Sequence, residues 1–324
     1  MDKKEVIKQN LSNCLIKTDF DFLGQVKKGK VRDTYDLGNK LVLITTDRQS
    51  AFDRILASVP FKGQVLNQTS KFWFDQTKDI IGNAVLSLPD PNVTVARKCK
   101  VLPVEIVVRG YITGTTDTSA WMNYQNGARN LCGNILPEGL KKNQKFEKPI
   151  MTPTTKSEEH DENISPEEII EKGLISKDKW KKVEEAAFKI FQRGTEIAAK
   201  NGLILVDTKY EFGEDEDGNI LLIDEVHTPD SSRYWIEKSY KERFERDLEP
   251  ENIDKEFLRL WFKDNCDPYK DEVLPDAPED LVVELSNRYI QLYEMITGND
   301  FAFPDTSTPI LERIEKNIKN YLNK

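Results

Sequence analysis

Residues 203–235, LILVDTKYEFGEDEDGNILLIDEVHTPDSSRYW, restrict the possible fold more than any other stretch of the chain. Two apolar runs flank the acidic turn GEDEDGN, so the segment reads as an antiparallel hairpin followed by a loop ending in Ser-Ser-Arg. Inside strands that should be apolar stand Asp207, Lys209, Glu211, Asp224 and Glu225. Burying unpaired charge is costly, so such side chains are normally paired, metal-bound or lining a cleft. The plain alternative is an exposed hairpin with one solvated face, but Val206, Phe212, Leu222 and Ile223 demand cover on at least one side. Asp207, Lys209 and Glu211 are spaced by two, which puts all three on one face of a strand. Asp224 lies on the return strand, where two registers stay open. One sets it beside Glu211 and the other sends it to the opposite face.

At 324 residues the chain has material for one large two-lobed domain or two modest ones. Its front is strand-rich. Leu41–Thr46 predicts a short buried strand, preceded by a Gly38-Asn39 hairpin turn, and Val104–Val108 predicts another. Residues 128–164 lack periodicity and read as a long ordered loop with short strands. Ser165-Pro166-Glu167-Glu168 is a capping box with proline at the first helical position. Helices are expected over 177–201, where Val183, Ala187, Ile190, Phe191 and Ile197 recur at helical spacing, and over 253–264, 278–297 and 308–322. In 278–297, Leu281, Leu285, Tyr289, Leu292 and Ile296 form an apolar stripe that belongs to a core. The class is α+β. The division expected is a β-rich lobe over 1–103 and a mixed α/β lobe over 104–324.

Composition narrows the function. A net charge of -9 argues against nucleic acid or an acidic membrane as partner, while leaving room for a small anion held by local Arg and Lys. The four cysteines are scattered without a CxxC pair, and only His160 and His227 are present. Zinc and a disulfide scaffold are therefore disfavoured, and a reducing, cytoplasmic setting is expected. A metal, if used, should be a hard cation on carboxylates, most simply Mg2+. The N-terminal MDKKEVIKQN has no apolar signal core, and no run approaches the ~20 apolar residues of a membrane span.

Two further segments carry chemistry. In GKVRDTY (29–35), Gly29 permits close backbone approach while Lys30 and Arg32 bring positive charge, a combination able to cover nucleotide phosphates. Taken alone, a glycine and two cations in a turn are more often structural, and no GxxxxGK[ST] loop is present. In VLPVEIVVRGYITG (101–114), Arg109 ends a buried strand and aims a rigid five-donor fork at whatever lies beyond it. Capping of nearby carbonyls is the equally ordinary reading of that arginine.

These segments together resemble the SAICAR synthetases, the phosphoribosylaminoimidazole-succinocarboxamide synthases of purine biosynthesis. GKVRDTY, TDRQSAFD (46–53), VLPVEIVVRGYITG, TPTTKSEEHDENIS (152–165), LILVDTKYEFG (203–213) and DEVHTPDSSRYW (224–235) follow in the family's order across nearly the whole chain. The resemblance implies a two-lobed ATP-binding fold, with a kinase- or ATP-grasp-like N-terminal β lobe and an active site between the lobes. It implies the ATP- and Mg2+-dependent ligation of carboxyaminoimidazole ribotide to L-aspartate, through an acyl phosphate. Gly29, Lys30, Arg32, Lys209 and Glu211 would bind ATP, Glu211 and Asp224 the metal, and Asp207 and Lys209 would act in catalysis. Asp47, Arg109, Ser119, Asp207, Ser232, Arg233, Lys156, His160, Asp161 and Asn163 would contact the other substrates. One departure stands out. The family commonly has serine directly after the glycine matching Gly114, whereas Thr115 follows here and Ser119 comes four residues later, as if after a short insertion.

The rival reading is a small-molecule kinase, since Glu211-Phe212-Gly213 echoes the kinase Asp-Phe-Gly. No HRDxxxxN catalytic loop accompanies it. A non-catalytic binding protein on the same fold would have little reason to carry every charged position.

Overall fold

The computed structural model describes residues 2–52, 54–156, 162–253 and 256–323. The chain divides into two compact units, 1–72 with 84–98 and 253–324, and 73–83 with 99–252. One division point falls inside the helix Lys62–Thr77.

In the first unit, five antiparallel strands run in the order Val26–Lys28, Arg32–Asp36, Lys40–Thr45, Val93–Arg97, Val85–Asp90. The expected Gly-Asn turn joins the second and third of these, with Gly38 at φ +90° and its N–H donating to Asp36. Alternation places Tyr35, Val42, Ile44, Val93 and Val95 in one core, which Ile314 and Ile318 of the helix Ile310–Leu322 complete. A second core joins Ile7, Val59 and Val65 to Leu285, Tyr289 and Ile290 of the helix Glu279–Thr297. These two cores explain why the C-terminal helices fall with the front strands. A lobe boundary near 103 was expected, and the chain does change units at 98/99, but residues 253–324 return to the first unit. The helix Lys62–Thr77 was not foreseen. Its buried Lys62, Gln64, Asn67, Thr69 and Ser70 erase the polar stripe by which an amphipathic helix is recognised.

The second unit is built on a seven-stranded sheet in which Leu203–Glu214 is the central strand. It pairs antiparallel with Val104–Tyr111, Ser232–Ile236, Ile220–Ile223 and the short Lys100–Val101. The helix Lys177–Lys200 packs against this sheet through Val183, Ala187, Ile190 and Phe191, close enough that a Cβ on Gly110 would touch the Phe191 ring. Ser165 and Glu168 form the capping box at the start of Pro166–Glu171. Residues 128–156 hold the short strands Asn130–Leu131, Asn134–Ile135 and Thr154–Thr155 beside a longer one, Lys145–Met151. Among the described residues no helix is long and apolar enough to cross a membrane.

Candidate active site

Asp207 stands opposite Arg109 on one neighbouring strand and Arg233 on the other. Its Oδ2 accepts from Arg109 Nη1 at 3.3 Å and from Arg233 Nη1 at 2.5 Å. Arg109 is nearly fully buried; its Nε donates to Thr152 Oγ1 at 2.8 Å and its Nη2 to the Thr118 carbonyl at 3.2 Å. Two guanidinium groups on one carboxylate leave a net positive patch, suited to a phosphate or carboxylate.

Two residues along the same face, Lys209 Nζ donates to Glu105 and Glu211, each at 2.8 Å. Burial works to lower the Lys209 pKa, but Glu211, Glu105 and Asp224 together outweigh it and hold the ammonium charged far above its ordinary range. Burial likewise pushes Glu211 up, and Lys209 and Lys156 override it, bringing its carboxyl down to about 2. Lys156 Nζ pairs with the second oxygen of Glu211. The open register is answered by the ladder. Glu211 faces Ile223, so strict alternation would turn Asp224 away from the charged face. Asp224 instead takes a left-handed conformation, φ +67°, just past the strand end, and lies near enough to raise the Lys209 pKa.

Ser119 caps the helix Ala120–Gln125, accepting from Met122 N. Residues Thr115, Thr116 and Asp117 form an exposed excursion, after which Ser119 comes back against Gly114. A Cβ on Gly114, φ +105°, would lie 2.4 Å from Ser119 Cβ and 3.5 Å from Arg233 Nη2. This excursion therefore returns a serine to the edge of the arginine patch. Ser232 is placed differently. Its Oγ donates to Thr208 Oγ1 at 2.7 Å, on the face opposite Arg233 and Asp207. Asn163 bridges Thr154 through its backbone, and its buried Oδ1 has no hydrogen-bond partner among the described residues. His160 and Asp161 lie outside the described residues.

In the first unit, Lys30 is exposed and Arg32 half-buried at the turn where Gly29 N donates to the Arg32 carbonyl at 2.7 Å. Asp47, in the same unit, is held by main chain. It is buried, and its two oxygens accept from the backbone N–H groups of Leu15 and Gly63 at 2.7 and 2.8 Å. Those partners tie the Leu15 segment and the start of the helix Lys62–Thr77 to one carboxylate.

The loop between Asp224 and Arg233 is pinned from behind. His227, φ +47° and fully buried, meets the Tyr210 hydroxyl through Nε2, while Tyr234 OH donates to its carbonyl at 2.8 Å. Sequence reasoning missed Glu105, Thr152 and His227 as parts of this arrangement. Glu105 was within reach of it, because counting back by twos from Arg109 along the strand lands on Val107 and then Glu105. Among the described residues no three His, Cys, Asp or Glu side chains converge as a metal cage.

A profile of the SAICAR synthetase family matches residues 25–275. The phosphoribosylaminoimidazole-succinocarboxamide synthase of Legionella pneumophila (strain Paris) is 59% identical over 309 residues, covering 95% of this chain and 99% of its own. The chloroplastic enzyme of Arabidopsis thaliana is 58% identical over 321 residues, 98% of this chain and 78% of its own. Among solved structures, the SAICAR synthase of Saccharomyces cerevisiae complexed with SAICAR superposes with a TM-score of 0.77 at 34% identity, covering 89% of this chain and 100% of that one. A SAICAR synthetase in complex with ADP gives 0.65 at 27% identity, over 86% of this chain and 100% of its own. With a family profile across most of its length and relatives near 60% identity, the chain belongs to the SAICAR synthetase family.

Proposed function

We propose that the face carrying Asp207, Lys209 and Glu211 performs the family's reaction by way of an acyl phosphate. The reaction is the ATP-dependent condensation of carboxyaminoimidazole ribotide with L-aspartate to give SAICAR, ADP and phosphate. A carboxylate is a poor electrophile. In this reading its oxygen attacks the γ-phosphorus and ADP leaves; the aspartate amine then attacks the carboxyl carbon, and phosphate departs with that oxygen.

The observation that carries the reading is the ammonium of Lys209, kept charged by carboxylates beside a two-arginine patch on the same face. Lys209 is suited to neutralise charge developing on the transferred phosphoryl group. Arg109, Arg233 and Ser119 would hold the ribotide phosphate, while Asp207, itself fixed by both arginines, would orient the imidazole ring. Gly29, Lys30 and Arg32 are the residues of the first unit suited to nucleotide phosphates. Asn163 and Lys156, with His160 and Asp161, are assigned to the L-aspartate side. Ser232, whose hydroxyl is committed to Thr208, would act through its backbone.

The donor chemistry fits Mg2+, because Lys209 already stands as a cation among Glu105, Glu211 and Asp224. Mg2+ is commonly held by one or two carboxylates plus substrate phosphates, and Glu211 and Asp224 would supply them, lending the transferred group a further positive charge. For Glu211 to do so, Lys156 must release its oxygen. The thiols of Cys14, Cys99, Cys132 and Cys266 suit a reducing compartment, and we place the enzyme in the cytoplasm.

Glu211→Gln and Asp224→Asn test the assignment. Each should lower kcat by about 100-fold or more at millimolar Mg2+, in protein that still folds cooperatively. Near-normal turnover at the same Mg2+ would remove them as ligands.

A further inference from the structure

Arg48 belongs to none of the groups assigned so far, yet it is buried and makes four polar contacts. Its Nη2 donates to the Gly29 carbonyl at 2.9 Å and to Asp33 Oδ1 at 2.8 Å. Its Nη1 donates to the Ile16 carbonyl at 2.6 Å, and its Nε to the Lys30 carbonyl at 3.3 Å. Asp33 is fully buried, and its other oxygen accepts from Thr18 N at 2.7 Å and Thr18 Oγ1 at 3.0 Å. This is the condition under which a buried ion pair is tolerated, each carboxylate oxygen having a donor. Two residues before Arg48, Thr46 takes the next carbonyl of the turn. Val31 O accepts from Thr46 N at 2.9 Å and from Thr46 Oγ1 at 2.6 Å.

Three successive carbonyls, those of Gly29, Lys30 and Val31, are thus drawn to the TDR segment 46–48. In a planar trans peptide the C=O and the following N–H point in opposite directions. Holding the carbonyls of Gly29 and Lys30 on the guanidinium therefore turns the N–H groups of Lys30 and Val31 the other way. Outward amides in succession are how a turn receives an anion, whereas outward carbonyls would repel one. The planar fork of arginine is what the task requires. A lysine could pair with Asp33 but could not also span separate carbonyls in fixed directions.

We propose that Arg48 is a positioning residue for ATP, its guanidinium setting the peptide planes of the turn Gly29–Arg32 so that the turn presents amides to nucleotide phosphates. The proposal rests on the assignment of that turn to the nucleotide, and its test separates the two.

Steady-state kinetics would be measured for Arg48→Lys, Thr46→Val and Lys30→Ala, with all three substrates varied in turn and melting recorded. Arg48→Lys should raise KM for ATP about tenfold or more, with KM for the ribotide and for L-aspartate within twofold of the parent. Thr46→Val removes one of the two bonds on Val31 O without removing volume, and should raise KM for ATP about threefold at unchanged melting. It decides the matter if Arg48→Lys does not fold. Should Lys30→Ala raise KM for ATP while Arg48→Lys, or Thr46→Val in its place, does not, the positioning role is overturned and the nucleotide assignment stands. An unchanged KM for ATP in all three variants would overturn the nucleotide assignment and the role of Arg48 with it. A loss spread evenly over all three substrates would reduce Arg48 to a purely structural group.

Discussion

Asp47 shows how a carboxylate in a charged motif can serve the fold. It accepts from Leu15 N and from Gly63 N, the latter in the first turn of the helix Lys62–Thr77, whose leading N–H groups have no partner within the helix. An asparagine would fit the same space, but only its oxygen could accept, and its NH2 would face the other backbone N–H. A buried donor left without an acceptor costs about 1–3 kcal/mol. Asp47→Asn should therefore lower stability by roughly that amount in denaturant titration, while KM for each substrate stays near the parent value in the fraction that is folded. A large rise in one KM at unchanged stability would return Asp47 to the substrates. Nothing in TDRQSAFD distinguishes this role from catalysis, because the partners are main-chain groups 32 and 16 residues away.

Where the helix Lys177–Lys200 packs on the central strand, one glycine forms a notch. Gly194 sits inside the helix, where alanine would ordinarily be favoured by about 1 kcal/mol. Here a Cβ would lie 2.3 Å from His227 Cε1, 2.7 Å from its Nδ1 and 2.8 Å from Leu205 Cδ2. The imidazole is held at Tyr210 and against the edge of Trp73, so it has no room to retreat. Overpacking costs about 1–3 kcal/mol, and it outweighs the propensity gain. Gly194→Ala should therefore destabilise. Adding His227→Ala should recover part of the loss, a non-additive pair in a double-mutant cycle, whereas simple additivity would show that the notch is not what matters. Much at this scale was legible beforehand. The shared face of Asp207, Lys209 and Glu211 follows from strand geometry alone, and the capping box at Ser165 from four consecutive residues. What was not legible depends on distant chain or on backbone that breaks period. The left-handed turn at Asp224 defeats alternation, the buried polar side chains of Lys62–Thr77 hide a helix, and Gly194 acquires meaning only from His227.

Across the whole molecule, two buried groups give stability opposite dependences on pH, one in each unit. Burial raises Asp47 to about 6 against the opposing pull of its two backbone donors. Its unfolded value is about 3.9. Between these values the folded state keeps the proton that the unfolded state has lost, so this group makes stability fall as pH rises from about 4 to 6. Burial lowers His227 to about 3. Its unfolded value is about 6.5, so here the unfolded state holds the extra proton. Its contribution is complete above about pH 6.5 and is lost as pH falls toward 3. Each slope approaches about 1 kcal/mol per pH unit, and over pH 4–6 they oppose one another. Removing either group should expose the other. Relative to the parent, Asp47→Asn should gain more stability between pH 4.5 and 6.5, and His227→Asn should gain less. Calorimetric melting at the two pH values measures both differences, with all other titrating groups common to the three proteins. If Asp47→Asn shifts with pH as the parent does, Asp47 is ionised throughout and its two N–H donors, not its burial, set its charge.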